Sequence, residues 1–266
     1  MYRCLWILAL LLFAATAQAH ERVVLLAPAA GDLFQRLGQA HKVVGVTRSN
    51  EDFPHALKVG SHIKPNLELV RSLNPDLIVL GSERFFSSEM QSLVGAKILI
   101  YNPVTLDGVL SGVTELGQAL ECQPRAARLV AELSALRAQL RPVPRAPGVI
   151  FEVTEMPLTI AGRGNIVADI IKAAGGELLA PSSRKLIKFS PEAVLMNRPD
   201  LYLYQVGPMN RSPSKPLSRP HYARLKAKEV VVDQLAFSRA NGHSFDLALE
   251  LNRLFLDEES SLKPNL

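Results

Sequence analysis

Apolar positions along this chain follow two rhythms. Short continuous apolar runs, suited to strands buried on both faces, stand at Val23–Leu26, Val43–Val46 and Leu77–Leu80, with a further strand expected at Lys97–Tyr101. A helical stretch from about Gly31 to Leu37, closed by Gly38, separates the first two. Strand, helix and strand in quick succession imply a parallel α/β unit. The spacing then turns fully helical: Leu106, Val109, Leu110, Val113, Leu116 and Leu120 share one face, with Thr105 placed to cap it. Gln123-Pro124 marks a restart, and the strong helix formers of Ala126–Leu140 predict one helix over Pro124–Arg141, spanning roughly 27 Å at about 1.5 Å per residue. Pro142, Pro144 and Pro147 close it.

Beyond this rod the first pattern begins again. Strands are expected at Val149–Val153, Leu201–Tyr204 and Glu229–Val232, and helices at Asn165–Ala174 and Ser244–Leu256. Asp257–Leu266 reads as a frayed tail. The stretch from Gln205 to Ala223, broken by Pro208, Pro213, Pro216 and Pro220, predicts a long irregular loop, and loops of that length in compact domains tend to be functional.

Residues 66–80 (NLELVRSLNPDLIVL) align with residues 190–204 (SPEAVLMNRPDLYLY) with five identities: Glu68 with Glu192, Val70 with Val194, and Pro75-Asp76-Leu77 with Pro199-Asp200-Leu201. In each copy a capping Asn66 or Ser190 starts a helix, the carboxylate sits in the first turn where the helix dipole favours it, and Pro-Asp ends the helix before a buried strand. A helix-turn-strand unit repeated on either side of a rod predicts two α/β lobes with a ligand cleft between them. The expected boundaries are a lobe at 20–121, the linking helix with its lead-in at 122–141, and a second lobe at 142–266.

Composition limits the function classes. Apolar residues are 48% and charged residues 21%, ordinary values that leave disorder to the chain ends. Arg3, the apolar run Leu5–Ala15 and Ala17-Gln18-Ala19 form the three parts of an export signal, so residues 1–19 are expected to be removed and the mature protein to act in the periplasm. That run is 11 residues, too short to cross a bilayer, which takes about 20. Removal lowers the formal net charge of +5 by one. Aromatics are only 6% and no basic run reaches five residues, which argues against a nucleic-acid partner. Cys4 leaves with the signal, so Cys122 has no partner for an internal disulfide and reads as a small buried hydrophobe.

The order of strand, helix, VVGVT, VGSHIKPNLELVRSLNPDLIVLG, the central helix and FSPEAVLMNRPDLYLY resembles the helical-backbone periplasmic binding proteins of ABC importers, the class that carries cobalamin, ferric siderophores and haem. AGRGNIVADIIKAAGG (161–176) resembles part of that family's second lobe. The resemblance implies two lobes with mostly parallel sheets, a monomer without a resident cofactor, capture of a metal chelate, and delivery to a membrane permease. It also implies that Glu68 and Glu192 dock on permease arginines.

In such a fold the cleft is lined by loops that follow the strands' carboxyl ends. Here they are Ala27–Asp32, Arg48–Pro65, Ser82–Phe86, Thr154–Asn165, Ser182–Lys188, Val206–Tyr222 and Phe237–His243. Arg48, Lys64, Arg84, Arg163, Arg184, Lys188, Arg211 and Arg239 fall in these loops and suit the carboxylates or phosphates of an anionic chelate. His62, His243 and His55 are candidate metal contacts, and Tyr222 and Tyr204 candidate oxygen or stacking contacts. No two histidines stand at close ligand spacing, which ranks a free metal ion below a chelate. The motifs GxSxG, GxGxxG and the P-loop are missing, so an enzyme, with a divergent periplasmic hydrolase as the alternative, ranks lower still.

Overall fold

The computed structural model describes residues 20–262; the expected signal segment, residues 1–19, lies outside them. The first half builds a five-stranded sheet from β1 (Val23–Leu25), β2 (Val43–Val46), β3 (Leu57–Lys58), β4 (Leu77–Leu80) and β5 (Lys97–Ile100), in the order β3-β2-β1-β4-β5 with every pair parallel. The second builds a six-stranded sheet, in which β6 (Gly148–Thr154), β7 (Thr159–Ala161), β9 (Leu186–Lys188), β10 (Leu201–Val206) and β11 (Lys228–Asp233) are ordered β11-β10-β6-β7-β9 and β8 (Glu177–Leu178) pairs β6 off that path. In it β8, β6, β10 and β11 are mutually parallel, while β7 runs antiparallel to both β6 and β9.

The repeat seen in the sequence is a repeat of register. Leu77 pairs with Val23 on one side and Lys97 on the other; its counterpart Leu201 pairs with Val149 and Lys228. Each Pro-Asp does the same work. Asp76 accepts the Glu21 N–H at 2.7 Å, and Asp200 accepts the Gly148 N–H at 2.7 Å, so each aspartate ties down the start of its sheet's first strand. The agreement extends to a position where the two copies differ in residue type. Asn74 and Arg198, each preceding its proline, both adopt left-handed backbone, with φ of 42° and 45°.

Strands buried on both faces need apolar residues at consecutive positions. Val23 and Leu25 face the centre of the molecule while Val24 and Leu26 face an outer layer, beneath α2 (Leu67–Ser72) and α3 (Ser88–Val94). Val149 and Phe151 face inward likewise, and Ile150 outward beneath α7 (Pro191–Asn197). The inner faces share one continuous core, running from the first sheet through Leu106, Val113, Leu129 and Leu133 to Ile170 and Phe255.

Those bridging residues lie on α4 (Leu106–Ala119) and α5 (Gln123–Arg137), with Gly117 letting the two helices touch at Ala126. The linking helix is therefore shorter than the sequence suggests. It starts one residue before Pro124 and stops at Arg137, after which Ala138 and Gln139 form a turn, with the Leu140 N–H bound to Arg137 O at 3.2 Å. The C-terminal helix α9 (His243–Leu262) runs beyond the expected Leu256, and its buried Leu251 and Phe255 join the common core. Sequence reading missed β3, β7, β8 and β9; at two or three residues each they are too short to show a period.

Candidate functional site

The carboxyl ends of β1, β2 and β11 converge on a cavity of about 420 Å³, lined by Asp32, Gln35, Asp52, Leu235, Ala236, Arg239, Asn241 and His243. Asp32 and Gln35 lie on α1 (Gly31–Arg36), which follows the first strand after a 3-10 turn at Pro28–Ala30. Asp52 follows β2, and Leu235 and Ala236 belong to α8 (Gln234–Ser238), directly after β11. The cavity thus draws on both halves of the chain, beyond the strand ends, where open α/β sheets present ligands.

Its polar groups pair across the cleft. Arg239 Nη1 lies 3.3 Å from Asp52 Oδ2, and His243 Nε2 lies 3.3 Å from Asp32 Oδ1. The Gly242 N–H donates to Asp32 Oδ2 at 3.1 Å. A side chain at 242 would push against the Arg36 guanidinium and come within 2.8 Å of Asp32 Oδ2, so glycine leaves room for this approach. Tyr101, at the end of β5, donates its hydroxyl to Ala240 O at 2.7 Å. Burial, and then the nearby Asp32 charge, push the Tyr101 phenol far above its ordinary pKa, so it remains a donor.

Of the residues proposed from sequence, Arg239 and His243 reach this cavity. Arg48 is exposed just after β2, its backbone N–H bound to Gly60 O at 2.7 Å. His62 and Lys64 are exposed in the turn closed by Ser61 and Lys64. Arg84 is exposed after β4, its guanidinium 5.7 Å from the Phe85 ring centre. Arg163 and Arg184 are exposed on two segments held side by side, since Gly162 and Arg163 donate to Lys185 O and Ser182 O at 3.1 and 3.0 Å. Arg211 is exposed in the loop after β10.

Tyr222 does not line the cleft. It is 1% exposed in the outer layer of the second sheet, its ring 5.6 Å from that of Tyr202. Its flanking prolines suggested an open loop, but the segment folds back onto the sheet. Arg219 anchors it, donating to both carboxylate oxygens of the wholly buried Glu152 at 2.6 and 2.9 Å. Tyr204 is likewise buried within β10. Among the described residues no group of three or more His, Cys, Asp or Glu is arranged to hold a metal ion.

Asp32, Gln35, Asp52 and Asn241 escaped the sequence reading. Asp32, Asp52 and Asn241 lie in loops expected at the cleft, where cationic side chains were the expected contacts. A carboxylate in the first turn of the helix that follows the first strand was the signal available.

Glu68 and Glu192 are exposed in the first turns of α2 and α7. Asn66 Oδ1 accepts the Leu69 N–H at 3.1 Å, and Ser190 Oγ accepts the Ala193 N–H at 3.2 Å, so both helices are capped as their sequences predict. The Glu192 carboxyl is held below its usual pKa by its own backbone N–H and by Ser190.

Two mostly parallel sheets, a helical strut and a cleft at the strand ends define a periplasmic substrate-binding protein of the helical-backbone class. The sequence signature of the periplasmic binding protein family matches residues 23–228, and the chain belongs to that family. It is 29% identical to the vitamin B12-binding protein of Vibrio vulnificus (strain CMCP6) over 205 residues, 71% of this chain and 74% of the relative. Two solved structures share the fold. The periplasmic vitamin B12-binding protein BtuF of Vibrio cholerae superposes with a TM-score of 0.75 at 21% identity, over 91% of this chain and 98% of that one. The apo periplasmic haem-binding protein RhuT of Roseiflexus sp. RS-1 gives 0.72 at 24% identity, over 89% and 98%.

Proposed function

We propose that this chain captures a corrinoid of the vitamin B12 type in the periplasm and delivers it to the permease of an ABC importer. The observation that carries the choice of ligand is the cavity's donor and acceptor set. Asp32 and Asp52 offer carboxylate acceptors and Gln35 and Asn241 offer amides, which together suit a neutral ligand fringed with amide N–H groups. Arg239 already pairs with Asp52, so the wall holds little unpaired positive charge for the carboxylates of an anionic ligand. The vitamin B12-binding relative at 29% identity supports the same choice.

Haem is the second reading. Arg48, Arg163, Arg184 and Arg211 are exposed, have no carboxylate within ion-pair distance among the described residues, and suit propionates. Titrating the purified protein with cyanocobalamin and with haemin decides between them. We expect saturable binding of cyanocobalamin, weakened by Asp32→Asn with Asp52→Asn; saturation by haemin alone would replace the first reading with the second.

The remaining parts follow from the same reading. Residues 1–19 direct export, and the mature chain acts as a monomer with lobes at 20–121 and 142–266 and the strut at 122–141. In support, every strand of the first sheet ends by Ile100 and every strand of the second begins after Pro147. Glu68 and Glu192 dock on permease cations. Their matched, exposed positions in the two copies of one repeated unit support that role.

A further inference from the structure

Three large exposed apolar side chains follow the carboxyl ends of three neighbouring strands, and one of them, Leu235, lines the cavity. Met156 is 86% exposed in the turn after β6, Met209 is 53% exposed in the turn after β10, and Leu235 is 38% exposed in the first turn after β11. The three strands are parallel neighbours in the sheet, in the order β11-β10-β6. Adjacent strands lie about 4.8 Å apart, so three neighbouring carboxyl ends span roughly 10 Å, about the width of one tetrapyrrole ring.

A belt of buried polar groups joins these strand ends. Gln205 Nε2 donates to Val153 O at 2.9 Å, Asn210 Nδ2 donates to Gln205 O at 2.8 Å, and Asn210 Oδ1 accepts the Glu155 N–H at 3.1 Å. Gln234 Oε1 accepts the Met209 N–H at 2.7 Å. Gln205, Asn210 and Gln234 are 2%, 7% and 5% exposed. Three strand ends are therefore stitched into one platform whose backbone is fixed before any ligand arrives. Large apolar side chains held in water on a rigid base mark a surface built to be covered, and flexible, polarisable thioethers adapt to a flat partner.

We propose that Met156, Met209 and Leu235 form the floor on which one face of a planar tetrapyrrole macrocycle lies. This rests on the functional reading above and deepens it. The floor would grip the ring, while Asp32, Asp52 and the amides of the cavity that Leu235 also lines would read its side arms. Because the floor recognises the shared ring face, it contributes to corrin and porphyrin binding alike, and discrimination between them is left to the polar wall.

The test is titration of the wild-type protein and of M156S, M209S, L235S and their triple combination with dicyanocobinamide, cyanocobalamin and haemin. M196S serves as control, because Met196 is 82% exposed on α7, outside these loops. Each methionine substitution should weaken the macrocycle that the wild type binds by about tenfold, and the triple variant by more than about a hundredfold. Melting temperatures and M196S should stay at wild-type values. If the wild type binds a macrocycle and the triple variant binds it equally well, the floor is refuted while the receptor reading stands. A triple variant that keeps its affinity but loses self-association shows a contact between copies instead, and also overturns the proposal. A wild type that takes none of the three macrocycles ends both.

Discussion

Glu152 is the most consequential buried charge of the second sheet. It is wholly buried on β6, and Arg219 engages both of its oxygens while the Tyr202 hydroxyl donates a third hydrogen bond at 2.6 Å. Removing one partner would leave the other charged and unpaired in the interior, so Arg219→Ala should cost about 3–5 kcal/mol in denaturant unfolding. Nearby, Glu155 receives the Ser214 N–H and hydroxyl. Burial alone would raise its pKa, but the Ser214 bonds and the Arg219 charge outweigh that and hold it below the usual carboxylate value. A depressed folded-state pKa contributes stability that is present above the unfolded pKa and lost as pH falls through the folded one. The melting temperature of wild type should therefore exceed that of Glu155→Gln at neutral pH, and the gap should close on acidification to below the ordinary carboxylate range. A gap that persists in acid would remove the ionic contribution assigned to Glu155.

Among the elements, the repeated helix-turn-strand unit is solved twice with different residues. Asn tolerates left-handed backbone and stands at 74; Arg198 adopts nearly the same φ of 45° without that tolerance. Arg198→Asn should thus raise stability by up to about 1 kcal/mol, read as a higher denaturation midpoint with unchanged slope. The matching change Asn74→Arg should destabilise by a similar amount. These opposite signs would not appear if the unit were a coincidence of sequence without a shared conformation.

Across the whole molecule, the strut is only part of what joins the halves. The α4 N-terminus donates from Leu106 N–H to Asp169 on α6 (Ile166–Ala173) at 2.7 Å, and Asn252 of α9 binds the Arg141 N–H and carbonyl at 3.0 and 2.8 Å. With one continuous core running through these elements, hinge closure would have to break apolar packing as well as bend a helix pair. Solution scattering should therefore show little change in radius of gyration when ligand is added, and a large contraction would contradict the shared core. Charge reversal at both Glu68 and Glu192, which lie on helices outside the cleft, should abolish ligand uptake in a transport assay while leaving affinity intact. Loss of affinity would undo their assignment to docking.

How much of this was legible beforehand depended on the range of the interaction involved. Local physics determined the α/β class, the duplicated unit, both helix caps and the start of the strut to within a residue, because apolar period, capping side chains and prolines act within a few residues of themselves. Three of the seven loops expected at the strand ends contribute side chains to the cavity, since they follow strands that the sequence announces. Tertiary structure decided which side chains meet. Asp32 and His243, or Asp52 and Arg239, lie about two hundred residues apart, and no local signal couples them. It also drew Tyr222 into the core through Arg219 and Glu152, and placed Met156, Met209 and Leu235 after the ends of three neighbouring strands. Such placements depend on strand order and long-range packing, which are properties of the folded chain as a whole.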